Sequence, residues 1–244
     1  MDTERLYREI VAELERRADA KRAEKEMYYH KKVGEGFKAY GISTLEFYEI
    51  AKKYRNVFKQ LTFKERITLA ERFFRSGYAG QMSFGIILLK LSVKEMEPED
   101  FGVLEIVGDC LNNWATTDGF CIDVLQPLLL AYPREVLWIL REWNKAESLW
   151  KRRASVVVFT RRVGASGKFT DEALELCDRL VLDAEDYVRK GVGWALKDAM
   201  RGDKKKVLEY VKGLRQKGVS AVITLYAIRD LRGKERKEVL NFKP

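Results

Sequence analysis

The amino-acid sequence predicts an all-α protein. Only four prolines occur in 244 residues, and the alternating runs of β-branched residues that would indicate strands are almost absent. Apolar residues recur instead at spacings of three and four, which is the period of amphipathic helices. The fold class that follows is a curved α-solenoid built from helix pairs in a single domain.

The first 27 residues are predicted to form a charged helical extension. Leu6, Ile10 and Leu14 give the first helix one narrow apolar stripe. The segment 15–26 that follows is a charge run of mixed sign, which is typical of a solvated helix.

The next segment, 28–43, contains three glycines and is predicted to be a loop. Its Tyr28, Tyr29, Lys31 and Lys32 are candidates for contact with a phosphate backbone. A solvated loop without a ligand is the alternative.

From residue 43 onward the predicted helices are short and regular. Their spans are 43–59, 62–76, 79–92, 98–110, 113–131, 133–143, 146–162, 170–182, 185–200, 204–217 and 219–231. Ser43, Thr62 and Thr170 are predicted N-caps, and Pro98 and Pro133 are predicted first-turn residues.

The connections between these helices are short, so consecutive helices are expected to be antiparallel neighbours. Pairing them gives units of about 35 to 45 residues, the period of HEAT-like repeats. Residues 28–244 are therefore predicted to form one repeat domain. Arrays of this kind curve, and their concave face suits an extended ligand.

Composition restricts the classes of function. The formal net charge of +9 favours a polyanionic partner, although solubility alone would also explain it. Three cysteines without a CxxC motif and one histidine argue against a disulfide framework, a zinc site or a histidine-based triad. The chain also contains no apolar run of about 20 residues, so a soluble intracellular protein is expected.

The strongest candidate for a functional site is the predicted helix that starts near Trp114. Trp114, Asp118, Ile122, Leu125 and Leu129 fall along one stripe. Core stripes normally exclude an ionised carboxylate because its burial is costly. Asp118 is therefore either a structural acid capped by an arginine or by backbone amides, or a functional acid held beside an aromatic ring.

A second candidate helix carries a row of cations. Arg153 lies within about 60° of Trp150 at the edge of the apolar stripe, while Lys151 and Arg152 point elsewhere. An arginine in such a position is either paired with an acid or available to a phosphate oxygen.

The third candidate is Trp194, which lies more than 100° from the core stripe of its own helix. It shares its face with Lys190 and Lys197. An exposed tryptophan among lysines is uncommon unless something covers it, and packing against the next repeat is the alternative. Gly191 and Gly193 on the same helix suggest that another surface approaches closely.

In order and spacing, Trp-x-x-x-Asp, Trp-x-x-Arg-Ala and Lys-x-x-Gly-Trp resemble the DNA alkylation repair family, nearest to its AlkD-like alkylpurine DNA glycosylases. The resemblance runs from about Tyr28 to Ile228. It implies Trp114 and Trp194 as site tryptophans, Asp118 as catalytic acid and Arg153 as the arginine that holds DNA.

The family resemblance further implies a HEAT-like solenoid with duplex DNA in its concave face. The implied activity is hydrolysis of the N-glycosidic bond of cationic 3-methyladenine and 7-methylguanine, without cofactor, metal or base flipping. We expect DNA contacts from Lys151, Arg152, Lys190, Lys197, Tyr29, Lys31 and Lys32. A cytoplasmic, nucleoid-associated monomer is expected, with no membrane contact.

Three functions remain open at this point: an alkylpurine glycosylase, a non-catalytic solenoid that binds distorted or branched DNA, and a protein-binding scaffold. An acid kept together with two tryptophans favours the first over the second, because phosphate binding does not require a carboxylate. The positive charge favours both over the third.

Overall fold

The computed structural model describes residues 2–31 and 36–242. Apart from one isolated backbone pairing of Lys38 with Tyr78, the regular structure of these residues is helical. The predicted all-α class is therefore confirmed. The chain divides into two compact units, Met1–Val124 and Leu125–Pro244.

The first unit contains seven α-helices among its described residues. They are α1 Thr3–Arg16, α2 Ala20–Lys31, α3 Thr44–Gln60, α4 Phe63–Arg75, α5 Ala79–Ser92, α6 Gly102–Cys110 and α7 Trp114–Phe120, with a 3₁₀ turn at Pro98–Asp100.

A π-helical turn at Cys121–Leu125 leads into the second unit. Its α-helices, in the part of the chain that is described, are α8 Gln126–Ala131, α9 Pro133–Trp143, α10 Leu149–Val157, α11 Arg161–Ala165, α12 Thr170–Leu180, α13 Asp186–Gly202, α14 Lys204–Gln216, α15 Ala221–Ala227 and α16 Gly233–Asn241. The last of these helices was not among the predicted spans.

The core of the first unit includes the N-terminal helix. The apolar stripe of α1 is buried, and α1 packs against α3 and α4. Phe84 of α5 is fully buried, with the rings of Phe47, Phe73 and Phe58 centred 5.0, 5.8 and 6.0 Å away. The N-terminal helix thus contributes to the aromatic core of this unit.

The region between α1 and α3 differs from the prediction. The charge run is interrupted, because α1 ends at Arg16 and α2 begins at Ala20. Asp19 accepts a hydrogen bond from the N–H of Arg22 (3.0 Å) and so starts the second helix. The segment predicted as a loop is helical as far as Lys31. The helix therefore continues across the predicted domain boundary after residue 27, and that boundary stays a prediction.

The second unit is organised around α13, which packs against α10, α11, α12, α14 and α15. A Cβ at Gly191 would lie 3.4 Å from methyl carbons of Val156 and Val157, and a Cβ at Gly193 would lie 2.7 Å from the Cβ of Tyr226. The surfaces that approach these glycines closely are therefore α10 and α15 of the same unit.

Two predicted helix starts are confirmed in detail. Ser43 and Thr62 each form a capping box with a glutamate three residues later. Pro133 is the first residue of α9, as predicted. Thr170 is not an N-cap: it is the first residue of α12, and its hydroxyl donates to the carbonyl of Gly167 (3.2 Å).

The predicted helix 146–162 is divided at residues 158–160, and distant side chains account for the division. Gln126 of α8 donates its side-chain amide to the carbonyls of Val158 (3.0 Å) and Thr160 (2.9 Å). Asp198 of α13 accepts the backbone N–H of Arg161 (2.7 Å). Buried side chains thus satisfy backbone groups that the helix break would leave unpaired.

Candidate nucleic-acid interface

Trp114 and Asp118 lie one turn apart on α7 in the first unit. Asn113 caps this helix: its side chain accepts the N–H of Thr116 (3.0 Å), and the Thr117 hydroxyl donates to its carbonyl (2.7 Å). The side chain of Trp114 is 45% exposed, whereas Asp118 is only 8% exposed. A solvent-accessible indole therefore stands beside an almost buried carboxylate.

The predicted apolar stripe does not continue unchanged beyond α7. The π-helical turn at Cys121–Leu125 changes the angular spacing on which the stripe was based. Ile122 is only half-buried, while Leu125 and Leu129 are fully buried. Turns of this type occur frequently at functional sites, and this one follows Asp118 by three residues.

Arg153 of α10 is more deeply placed than the edge of a stripe suggests. It is 5% exposed, and its guanidinium donates to the carbonyl of Tyr187 (2.5 Å) in the first turn of α13. The ring of Tyr187 also packs 5.5 Å from that of Trp150. Arg153 thus links α10 to α13, and its contact with a phosphate stays a prediction.

The two residues before Arg153 differ in their surroundings. The Lys151 ammonium lies 5.7 Å from the ring centroid of Trp143. Arg152 pairs with Asp183, at 2.6 and 3.4 Å, and donates to the carbonyls of Ala146 (2.9 Å) and Glu147 (2.7 Å). These bonds occupy the guanidinium of Arg152, so we do not retain it among the proposed DNA contacts.

Lys190 and Lys197 also differ, although both lie on α13. The Lys190 ammonium pairs with Asp186 (2.7 Å) near the protein surface and lies 5.3 Å from the ring centroid of Tyr187. Lys197 is half-buried, and its ammonium lies 3.1 Å from Asp198 and 3.8 Å from Asp230. Lys190 is the more accessible of the two.

Trp194 forms one wall of a shallow pocket of about 480 Å³. Contrary to the prediction of an exposed ring, the side chain is half-buried. The residues that line the pocket are Arg161, Arg162, Ala165, Trp194, Lys197, Asp198 and Arg201. Four cations and one carboxylate leave this lining with a formal charge of +3, which favours an anionic ligand.

Asp198 organises the cations around Trp194. It is 2% exposed; one oxygen accepts the N–H of Arg161, and the other lies 3.1 Å from Lys197 and 3.6 Å from Arg201. Arg201 pairs in addition with Asp230 at 2.5 Å. The buried acid therefore fixes the positions of basic side chains at the pocket.

Arg161 enters the pocket from an unusual backbone conformation. Its φ angle is +54°, in the left-handed region that costs a non-glycine residue about 1–2 kcal/mol. The guanidinium lies 5.9 Å from the ring centroid of Trp194, within the range of a cation–π contact. Strain of this kind is often retained at binding sites.

The sequence alone does not predict that the residues of this pocket lie together. Lys197, Asp198 and Arg201 follow Trp194 by three, four and seven residues, so helical spacing alone would have placed them on its face. Arg161 and Arg162 belong to another helix, and only the tertiary structure brings them to Trp194.

The remaining predicted contact residues are on α2. Tyr29 is exposed, and its ring is centred 6.0 Å from that of Tyr28 in an edge-on arrangement. Lys31 is the last residue of the helix. Lys32 lies outside the described residues.

Two classes of site are not found in the described part of the chain. No group of three or more histidine, cysteine, aspartate or glutamate residues there is arranged to hold a metal ion. Among the same residues, no helix combines the length and the apolar character that a membrane crossing requires.

Comparison with known proteins gives a matching family model and related solved structures. The family model described as "DNA alkylation repair enzyme" matches residues 10–231. No curated protein matches the chain significantly. A structure titled "Predicted DNA alkylation repair enzyme from Enterococcus faecalis" has 16% sequence identity and a TM-score of 0.72, over 88% of this chain and 97% of that one.

The second related structure is the Pseudomonas fluorescens alkylpurine DNA glycosylase AlkC, bound to DNA containing an abasic site analog. It also has 16% identity, with a TM-score of 0.56, over 93% of this chain and 62% of that one. The chain therefore spans less than two thirds of this relative. At such identity, both structures support the fold alone.

Proposed function

Since the chain belongs to the DNA alkylation repair enzyme family, we propose that it is a monofunctional DNA glycosylase of the AlkD-like type. Its proposed substrates are cationic alkylated purines in duplex DNA, namely 3-methyladenine and 7-methylguanine. The observation that carries this proposal is the almost buried carboxylate of Asp118 one helical turn from the open indole of Trp114.

The proposed reaction is hydrolysis of the bond between C1′ of the sugar and the purine nitrogen. An alkylated purine already carries a positive charge, so the electron pair of the breaking bond neutralises the departing base without a general acid. A water oxygen bonds to C1′ and loses a proton to Asp118 or to solvent. The products are the free base and an abasic sugar.

Asp118 would act mainly through its charge. Positive charge develops on the sugar as the base leaves, and a carboxylate about 4 Å away at an effective dielectric constant near 20 stabilises it by about 4 kcal/mol. That energy corresponds to roughly a thousandfold in rate. The same carboxylate would orient the attacking water.

Trp114 and Trp194 would favour a cationic base and sugar over neutral ones. Cation–π attraction contributes about 1–2 kcal/mol for each desolvated ring. Trp114 belongs to the first unit and Trp194 to the second.

The DNA backbone would be held by basic side chains of the second unit. We assign this role to Lys151, Lys190 and Lys197, with Arg153 at the lesion. To these we add the arginines that line the pocket of Trp194, namely Arg161, Arg162 and Arg201. Tyr29, Lys31 and Lys32 would contact DNA at the N-terminal end. Binding of this kind is independent of sequence and sensitive to salt.

The experiment is incubation with a duplex that contains 7-methylguanine, with detection of the free base and of alkali-labile sites. The proposal requires both products from the wild-type protein. DNA binding without release of a base would instead favour the non-catalytic function.

Asp118→Asn provides the decisive variant. We expect base release to fall by roughly a thousandfold, while DNA affinity stays equal or rises because a negative charge is removed. Asp109→Asn, at an exposed carboxylate of α6, is the matched control and should retain activity. Wild-type turnover by Asp118→Asn would contradict the mechanism, and unfolding of the variant alone would indicate a structural acid.

A further inference from the structure

The first unit contains a cavity of about 460 Å³ that the proposed glycosylase reaction does not use. It lies where the described parts of α2, α3, α5 and α7 meet. Small residues leave its interior open: Ala39, Gly41, Ala79, Gly80, Ala115 and Gly119. On α7, its lining residues Ala115 and Gly119 lie about 100° around the helix from Trp114 and Asp118. Its volume is within the range of small-molecule sites.

The charge of this cavity is opposite to that of the protein. The chain has 46 lysine and arginine residues, yet none of the described residues that line the cavity is one of them. Two carboxylates, Glu26 and Asp123, are among the lining residues. Asp123 is paired with Lys90 at 2.8 Å, so Glu26 is the carboxylate that remains for a ligand.

No described side chain forms a hydrogen bond or an ion pair with Glu26. The nearby Arg22 pairs instead with Asp19 (3.3 Å) and Glu46 (3.1 Å). Burial raises the pKa of the Glu26 carboxyl, and the charge of Arg22 opposes this in part. A cation placed in the cavity would therefore stabilise the charged form of Glu26, which burial disfavours.

Aromatic rings supply the second feature of a cation site. Tyr48 lines the cavity and is 65% exposed. Phe47 and Tyr40 line it as well. Rings of this kind attract ammonium groups through their electron-rich faces, and aromatic cages are a recurring solution for quaternary ammonium ligands.

The N-terminal turns of α3, α5 and α7 also reach the cavity, and uncapped helix starts attract anions. Here their N–H groups are already engaged in part. Ser43 and Glu46 form a capping box at the start of α3, and Asn113 caps α7. The N–H of Ala79 donates to the backbone carbonyl of Lys38 (2.9 Å). The carboxylate of Glu26 therefore favours a cationic ligand over an anionic one.

We propose that this cavity binds a small organic cation, of the primary or quaternary ammonium class, with its charge beside Glu26 and its apolar part against Tyr48 and Phe47. The proposal is independent of the glycosylase activity, because neither Trp114 nor Asp118 lines the cavity.

The test is calorimetric titration of the full chain, without DNA and at low salt, with choline and with spermidine. The neutral isostere of choline, 3,3-dimethylbutan-1-ol, is titrated in parallel, and so is inorganic phosphate. We expect saturable binding of at least one cation and none of the neutral alcohol. Preference for choline would assign the quaternary class, and preference for spermidine the primary class.

Two variants test the named contacts. Glu26→Gln should weaken cation binding by about tenfold or more without lowering Tm, because it removes a half-buried charge. Tyr48→Leu should weaken it by about threefold to tenfold. Glu24→Gln, at an exposed glutamate of α2 outside the cavity, should bind like the wild type.

Three results would overturn the proposal: equal binding of the neutral isostere, unchanged affinity in Glu26→Gln, or no saturable binding of either cation. Binding of phosphate in place of the cations would also overturn it and would assign the cavity to the helix N-termini instead.

Discussion

At the scale of single residues, Trp194 combines features of a core residue and of a surface residue. Its ring is half-buried, has the Arg161 guanidinium 5.9 Å from its centroid, and lines a pocket of positive charge. A ring that only filled space between helices would not need four cations around it. We interpret Trp194 as part of the lesion site that also contributes moderately to packing.

Trp194→Ala should separate these two contributions. Loss of a half-buried ring is expected to lower the free energy of unfolding by about 1–2 kcal/mol. Loss of aromatic–cation attraction should lower single-turnover base release by about tenfold. Affinity for undamaged duplex should change little.

The matched control for Trp194→Ala is Trp138→Ala, at an exposed tryptophan of α9 outside the pocket. It should leave base release unchanged. If Trp194→Ala greatly lowers Tm but leaves the folded fraction fully active, Trp194 is a packing residue only.

At the scale of elements, α11 begins with a residue in a strained backbone conformation. The left-handed conformation of Arg161 is fixed by the bond from its N–H to Asp198. Glycine would adopt the same conformation without steric cost. The arginine side chain at this position therefore has a cost in local stability that glycine would not have.

Arg161→Gly should consequently change stability and DNA binding in opposite directions. We expect the free energy of unfolding to stay equal or to rise by up to about 1 kcal/mol, since relief of strain is partly offset by the entropy of glycine in the unfolded chain. DNA affinity should fall. Urea unfolding and duplex titration of one preparation measure the stability and the DNA affinity. Lys168→Gly, at an exposed position outside the pocket, controls for the loss of a surface cation. A fall in stability with unchanged affinity would contradict this view.

The start of α3 depends on pH through Glu46. Hydrogen bonds from the hydroxyl and the N–H of Ser43, and then from Arg22, lower the pKa of this carboxyl from 4.5 to about 2. Because the folded pKa lies below the unfolded one, its stabilising contribution is present above about pH 4.5 and is lost as the pH falls towards 2.

Glu46→Gln should therefore be less stable than the wild type at pH 7, and the difference should shrink at pH 3. Urea unfolding at the two pH values checks this. Glu24→Gln, at an exposed glutamate outside any capping box, should show no comparable change. A difference that is the same at both pH values would mean that the carboxylate charge does not act at this cap.

At the scale of the whole molecule, the net charge of +9 is not uniformly available to DNA. Arg152 is occupied by Asp183 and two carbonyls, while Lys190 remains near the surface. In contrast, none of the described residues that line the cavity beside Glu26 is a lysine or an arginine. The distribution of charge, more than its total, defines the proposed contacts.

Lys190→Ala and Arg152→Ala should therefore affect the protein in different ways. Lys190→Ala should reduce the salt dependence of duplex binding by about one unit of slope, as expected for one lost phosphate contact, with little effect on Tm. Arg152→Ala should leave the slope unchanged but lower stability by about 1–3 kcal/mol, because Asp183 loses its partner. Reversed results would return Arg152 to the DNA interface.

The sequence by itself determined the helical class, the N-caps at Ser43 and Thr62, and the start of α9 at Pro133, because these depend on local spacing and on residues three or four apart. It also singled out Asp118 as an acid on an apolar stripe. That inference used only the cost of burying a charge.

Only the tertiary structure decided where α10 ends and which cations surround Trp194. Gln126 and Asp198 satisfy backbone groups more than 30 residues away, and Arg161 reaches Trp194 from another helix. It likewise decided that Arg152 is an internal ion-pair partner. Such contacts depend on side chains brought together by packing, and the periodicity of a single helix contains no information about its partners.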